Sequence, residues 1–235
     1  MTIGVAVIGA GMAGRAHAAS YHIASTMYES VLPKLRLVSI GDVNPAFGKA
    51  AADRFGYERT DQDWRAIASD PSIDVVSVVV ANHLHREIVE GLLDAGKHVL
   101  CEKPLSDTIS DAEAMVASAS ASSSVARIGL TFLRNPAIGA VQQIIASGQL
   151  GKVLHVSGKY WADYSSDPSA PISWRYKGGM GTGALADIGS HISYVTEFIA
   201  GESIKNVSGA RFATSITERP VAQGAVMGHS GGVVS

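Results

Sequence analysis

Gly9-Ala10-Gly11-Met12-Ala13-Gly14, set directly after the apolar run Ile3-Gly4-Val5-Ala6-Val7-Ile8, decides the fold of this chain. An apolar run, a glycine turn and a stretch of small residues (12–20) spell strand, turn and helix in that order. In a G-x-G-x-x-G fingerprint the first glycine makes the tight turn. The second lets backbone approach a pyrophosphate, and the third lets the helix pack closely on the strand. The N–H groups and positive dipole end of that helix then receive phosphate. Gly9, Gly11, Met12, Ala13 and Gly14 are therefore candidate dinucleotide contacts. A merely structural glycine turn is the alternative, and the preceding strand and the acidic residue downstream weigh against it.

That acidic residue is Asp42, at the end of a second apolar run over residues 35–40. A carboxylate there accepts hydrogen bonds from ribose hydroxyls and repels a 2′-phosphate, which favours NAD over NADP. No arginine follows in Asp42-Val43-Asn44-Pro45. The spacing from the glycines exceeds the usual distance of about twenty residues. A longer first helix plus a turn around Pro33 accounts for it. In the alternative, Asp42 caps the helix that begins near Pro45.

Composition narrows the class. The chain has 235 residues, a formal net charge of −2 and 46% hydrophobic residues, enough for one large domain or two modest ones. It has no basic patch of the kind that marks a nucleic-acid partner, and no apolar stretch long enough to span a membrane. The N-terminus enters a strand at once, so no signal peptide and a cytoplasmic location are expected. The single cysteine, Cys101, has no disulfide partner and no metal-ligand spacing, so no metal site is expected.

Strand and helix patterns then alternate. Residues 74–80, 97–101 and 125–132 read as strands, and 46–55, 61–68, 84–95 and 106–120 as helices. This is the pattern of a doubly wound parallel sheet covered on both faces, assigned to a domain of residues 1–133. Beyond Arg134-Asn135-Pro136 the character changes. Residues 137–146 read as a helix, 152–161 as a long strand, 178–183 as a glycine-rich loop, 184–200 as a helix and 204–215 as another strand. An α+β domain is expected over residues 134–235.

Three places carry chemistry. Glu102-Lys103-Pro104 follows the strand 97–101, and ligands of open α/β sheets bind outside the carboxyl ends of the strands. Proline would hold Lys103 in one direction; the alternative is a surface lysine in a proline turn. Asp187 and His191 stand four apart on a helix, where a carboxylate can orient an imidazole and stabilise its protonated form. The alternative is a solvated helix pair. Asn82-His83-Leu84-His85 ends the strongest strand, which puts polar side chains near a bound dinucleotide. Asn82 reads equally as a helix N-cap, and His83 as an exposed loop residue.

Taken together these stretches resemble the Gfo/Idh/MocA oxidoreductases, which include glucose–fructose oxidoreductase and inositol dehydrogenase. The resemblance runs from Ile3 to about Phe212. It covers the glycine turn, Asp42, residues 82–85, residues 95–104, Arg134-Asn135-Pro136, Trp174-Arg175 and residues 183–191. It implies a Rossmann domain followed by an α+β domain with an open, mainly antiparallel sheet. It implies that Lys103, Asp187 and His191 are catalytic. Asn82, His85, Glu102 and Lys103 would lie near the cofactor, and Trp174 and Arg175 would line its cleft. The implied activity is NAD-dependent oxidation of a secondary alcohol in a sugar, polyol or related small hydroxylated compound. A glycoside hydrolase using NAD transiently and a non-catalytic dinucleotide-binding protein are the competing functions. Two departures stand out. Val80-Ala81 replaces the usual Thr-Pro, and the chain stops at Ser235 where family members continue. A shortened second domain with an incomplete sheet, and association into a homo-oligomer, are therefore expected.

Overall fold

β-branched residues place the centre of the first sheet. The computed structural model describes residues 2–27, 31–222, 226–227 and 232–233. It divides into two units, Met1–Gly129 and Leu130–Ser235. In the first, β1 (Thr2–Ile8), β2 (Lys34–Gly41), β3 (Val75–Val78), β4 (His98–Cys101) and β5 (Ala126–Ile128) form a parallel sheet in the order β2-β1-β3-β4-β5. Val76, Ser77 and Val78 of β3 are fully buried, as a strand covered on both faces requires. The crossovers carry helices α1 (Met12–Met27), α2 (Pro45–Phe55), α3 (Trp64–Ser69), α4 (His85–Asp94) and α5 (Ile109–Ala121). The apolar sides of α3, α4 and α5, with Ile67, Leu92 and Met115, join Ala6 and Val38 of the sheet in one core.

A sixth, irregular edge completes this sheet. Residues 58–61 run alongside β2, with Arg59 N–H donating to Val38 O at 3.1 Å and Asp42 N–H donating to Asp61 O at 3.0 Å. Counting that edge, the strand order is that of the dinucleotide-binding fold, whose topological switch point falls between β1 and β3. The helix expected over 61–68 therefore starts later, at Trp64. Asp63 stops the extended edge and caps α3 by accepting from Arg65 N–H at 3.0 Å. The strand expected over 125–132 is likewise shorter, because the chain turns into a 3₁₀ segment at Thr131–Arg134.

The second unit holds α6 (Pro136–Ala146), capped by Asn135, and α7 (Ser190–Ala200), closed by Gly201 in the left-handed conformation. The helix expected over 184–200 begins as a π turn, Leu185–Gly189. The long strands expected over 152–161 and 204–215 are corrected: among the described residues neither carries a ladder. The described antiparallel pairing of this unit is confined to β6 (Val226–Met227) and β7 (Gly232–Val233). A strand exists only through a partner's hydrogen bonds, so alternating apolar residues do not suffice. Leu154 is 88% exposed, and Trp161, Val207 and Phe212 are likewise mostly exposed. Among the described residues no helix is long and apolar enough to cross a membrane.

Cys101 ends β4 with 2% of its surface exposed. Burial, and secondarily the charge of Glu102, push its thiol up to about 12. A thiol-directed reagent at pH 8 should therefore leave the folded chain unlabelled and label it fully in guanidinium. Labelling of the native protein at the unfolded rate would show that β4 does not shield the sulfur.

Candidate functional site

The glycine turn separates what the fold needs from what a ligand needs. Gly9 has φ +103°, and a Cβ there would lie 2.0 Å from Val79 O. A Cβ on Gly14 would lie 1.7 Å from Gly9 O. Both are demanded by backbone packing. Gly11 differs, since a Cβ there meets no atom within 4 Å. The open space at Gly11 is what the second glycine of a pyrophosphate cradle leaves for its ligand. The N–H groups of residues 11–14 precede the first helical bond, Arg15 N–H to Gly11 O at 2.9 Å, so no helical carbonyl is available to them. Met12 and Ala13 belong to this first turn.

Asp42 closes the cradle. One carboxylate oxygen accepts Ala10 N–H at 2.7 Å and the other accepts Asn44 N–H at 2.8 Å. The first bond ties the end of β2 to the glycine turn on β1. A carboxylate has about four lone-pair sites, so ribose hydroxyls can still be accepted. The cap of α2 is Asn44, whose side chain accepts Ala46 N–H at 3.0 Å. Asp42 is thus not the cap. These residues fit NAD.

On the other side of the switch point, Asn82 opens a 3₁₀ turn and is 5% exposed, and it caps neither that turn nor α4. His85 corrects an expectation. It is wholly buried, with Nδ1 3.1 Å from both Pro104 O and Leu105 O and Nε2 3.2 Å from Val80 O. Its imidazole holds the end of β3 to the Glu102-Lys103-Pro104 turn, and its surface is not offered to a ligand. Burial lowers its pKa against the opposing pull of those carbonyls. The Lys103–Pro104 bond is cis. Glu102 accepts Lys103 N–H at 3.0 Å and His17 Nε2–H at 2.9 Å. Burial acts to raise its pKa, but the His17 bond, the Lys103 N–H and the two positive partners outweigh it and hold the carboxyl below the ordinary range. His17, from α1, was not legible as a site residue; its only signal is its place one turn beyond Gly14.

In the second unit the π turn carries Asp187 and leads into α7, which carries His191. Such widened turns recur at functional sites. Asp187 accepts a short hydrogen bond from Tyr164 O–H and pairs with Arg175 Nε at 3.4 Å. Burial, then the bond to Asp187, raises the Tyr164 pKa, which keeps its hydroxyl a donor. Arg175 also lies over the Trp174 ring at 4.5 Å. Within this unit, then, Arg175 is a partner of Asp187 before it is anything else. His191 Nδ1 lies 2.6 Å from Tyr194 Oη, which also accepts Phe132 N–H at 3.4 Å. Phe132 meets the imidazole edge-on at 4.7 Å and Tyr160 stacks on it at 5.9 Å. The spacing of Asp187 and His191 suggested neither tyrosine. An apolar collar with one hydroxyl on Nδ1 fixes the ring's orientation, as a general base requires.

Comparison with known proteins matches both units. The family described as "Oxidoreductase family, NAD-binding Rossmann fold" matches residues 3–130, and the "GFO/IDH/MocA C-terminal domain" matches residues 138–233. A levoglucosan dehydrogenase of Pseudarthrobacter phenanthrenivorans is 37% identical over 224 residues, covering 94% of this chain and 57% of the relative. An inositol 2-dehydrogenase of Salmonella typhimurium is 29% identical over 164 residues, covering 68% of this chain and 46% of the relative. A solved levoglucosan dehydrogenase in complex with NADH and levoglucosan superimposes with a TM-score of 0.87 at 35% identity, covering 95% of this chain and 60% of that one. The chain thus spans about half the length of these relatives, from 46% to 60%.

The cradle makes a sharp contrast testable. Gly11→Ala should leave the urea midpoint unchanged while weakening NADH binding, measured by fluorescence titration, at least tenfold. Gly14→Ala should destabilise the fold itself, by about 3 kcal/mol or more, since one backbone must move. Equal NADH affinity in Gly11→Ala would mean that the open space is not the pyrophosphate seat.

Proposed function

Because the chain belongs to the Gfo/Idh/MocA oxidoreductase family, we propose that it oxidises a secondary alcohol of a sugar or polyol with NAD. The observation that carries this reading is the cradle: a glycine that the fold does not need, beside a carboxylate tied to the same turn. The names of the levoglucosan and inositol dehydrogenases supply the substrate class. When bound, NAD supplies the hydride acceptor.

The side chains divide the remaining work. His191 takes the proton of the substrate hydroxyl, and its Nδ1 contact with Tyr194 holds the ring while it does so. Asp187, fixed by Tyr164 and Arg175, provides negative charge that favours the imidazolium as the proton arrives. Lys103 hydrogen-bonds the reacting oxygen. The alcohol thereby loses a proton and a hydride and becomes a ketone. Such a step is fast only when base, oxygen and acceptor are prepositioned. The lone buried cysteine and the nicotinamide cofactor fit a reducing, cytoplasmic compartment, which is part of the same proposal.

The direct test offers NAD with levoglucosan, myo-inositol and a panel of related sugars and follows NADH formation. His191→Ala and Lys103→Ala should each lower turnover by about 10² to 10⁴ with NAD affinity unchanged. Undiminished turnover in His191→Ala would reassign the base, and NADP binding tighter than NAD would remove Asp42 from the ribose. NAD binding without turnover on any substrate would favour a non-catalytic dinucleotide-binding protein.

Self-association belongs to this proposal as well. Leu154, Trp161, Val207 and Phe212 stand exposed on segments that carry no ladder, and such surfaces recruit a second chain. Sedimentation should show a dimer or larger species; a monomer at micromolar concentration would contradict it.

A further inference from the structure

A polar chain runs through the interior of the first unit where an apolar core would be expected. Tyr21 Oη lies 2.9 Å from Ser77 Oγ, and Ser77 Oγ lies 3.1 Å from His17 Nδ1. His17 Nε2 lies 2.9 Å from Glu102 Oε1, and Glu102 Oε2 accepts Lys103 N–H at 3.0 Å. Ser77 is fully buried in β3, and the His17 and Glu102 side chains are 13% and 17% exposed. The chain crosses three elements: α1 supplies His17 and Tyr21 one turn apart, β3 supplies Ser77, and the end of β4 supplies Glu102.

Tyr21 and Ser77 share one hydroxyl–hydroxyl hydrogen bond, and burial raises the Tyr21 pKa against the opposing Ser77 bond. Ser77 Oγ meets His17 Nδ1, and His17 Nε2–H donates to Glu102, whose carboxylate can only accept. Gly129, just beyond β5, lies against this carboxylate: a Cβ there would come within 2.8 Å of Oε1. Glycine there lets the chain pass the carboxylate.

We infer that His17 is a positioning residue for the Glu102-Lys103 turn: it fixes the Glu102 carboxylate, which fixes the Lys103 backbone and with it the root of the Lys103 side chain. The physical basis is that a buried carboxylate deprived of a charge-assisted donor either protonates or turns to another partner. In both cases its grip on Lys103 N–H changes. α1, which begins at the cofactor cradle, is in this way linked to the turn that carries the lysine. The consequence for turnover rests on the role proposed above for Lys103; the positional claim does not.

The test compares the 235-residue chain with its His17→Leu and His17→Gln variants by two readouts that simple loss of packing would not move. These are the amide resonance of Lys103 and the titration of the Glu102 carboxyl, both by NMR. In His17→Leu the Lys103 amide should shift upfield and the Glu102 carboxyl should titrate at higher pH. In His17→Gln, whose amide can still donate to Glu102, both should return toward wild type. If His17→Leu does not fold, Ser77→Ala, which removes one oxygen, should produce the same changes in smaller degree. An unmoved Lys103 amide and an unmoved Glu102 titration in a folded variant overturn the inference. Turnover separates the two claims: it should fall about 10- to 100-fold in His17→Leu at unchanged NAD affinity. A shifted amide with Lys103→Ala still fully active supports the positioning and sinks only the catalytic role of Lys103.

Discussion

Everything in the first unit depends on one backbone-to-backbone approach. At Gly14 helix α1 lies so close to the turn before it that a Cβ would come within 1.7 Å of the Gly9 carbonyl oxygen. That contact aims the start of α1 at the carboxyl end of β1. It also leaves the N–H groups of the first turn facing the place where the strand order reverses. The bond from Ala10 N–H to Asp42 then welds β2 to the same turn. The open space at Gly11 and the Asp42 carboxylate are therefore set by one local geometry rather than by two independent loops.

The same helix reaches across the sheet by a different kind of force. Apolar burial holds Ala18 against the sheet, while His17 and Tyr21 are held by hydrogen bonds to Ser77 and Glu102. Apolar packing is tolerant of small shifts, but a hydrogen bond loses its value within a few tenths of an ångström. A buried polar group left without its partner costs about 1–3 kcal/mol. The polar chain thus specifies one position for the Glu102-Lys103 turn where hydrophobic contact alone would allow several. His85 braces that turn from the opposite side through the Pro104 and Leu105 carbonyls.

The second unit is built on other terms. Its helices carry their own hydrogen bonds and so form as their caps and periodicity dictate: Asn135 and Pro136 start α6, and Gly201 closes α7. Its extended segments have no such independence. Residues 152–161 and 204–215 have the composition of strands and lack the neighbours that would make them strands. Asp187 and His191 avoid this dependence because they stand on the π turn and α7. Their surroundings, Tyr160, Tyr164 and Arg175, come from irregular chain folded against those helices.

The sequence by itself determined whatever is encoded over a few neighbouring residues. It determined the strand–turn–helix at residues 3–20, the acidic end of β2, the buried character of β3 and the family pattern that singles out Lys103, Asp187 and His191. Each of these rests on local sterics or periodicity, which short stretches of chain carry in full. Tertiary structure alone decided the partners. It decided that Asn44 rather than Asp42 caps α2, and that His85 turns inward. It set Tyr194 on His191 and Tyr164 on Asp187, and it brought His17 to Glu102. Pairs such as His17 and Glu102, 85 residues apart, meet only because the sheet folds β4 beside β3 and lays α1 across them. Long-range hydrogen bonds are a property of that packing, and no local pattern records them.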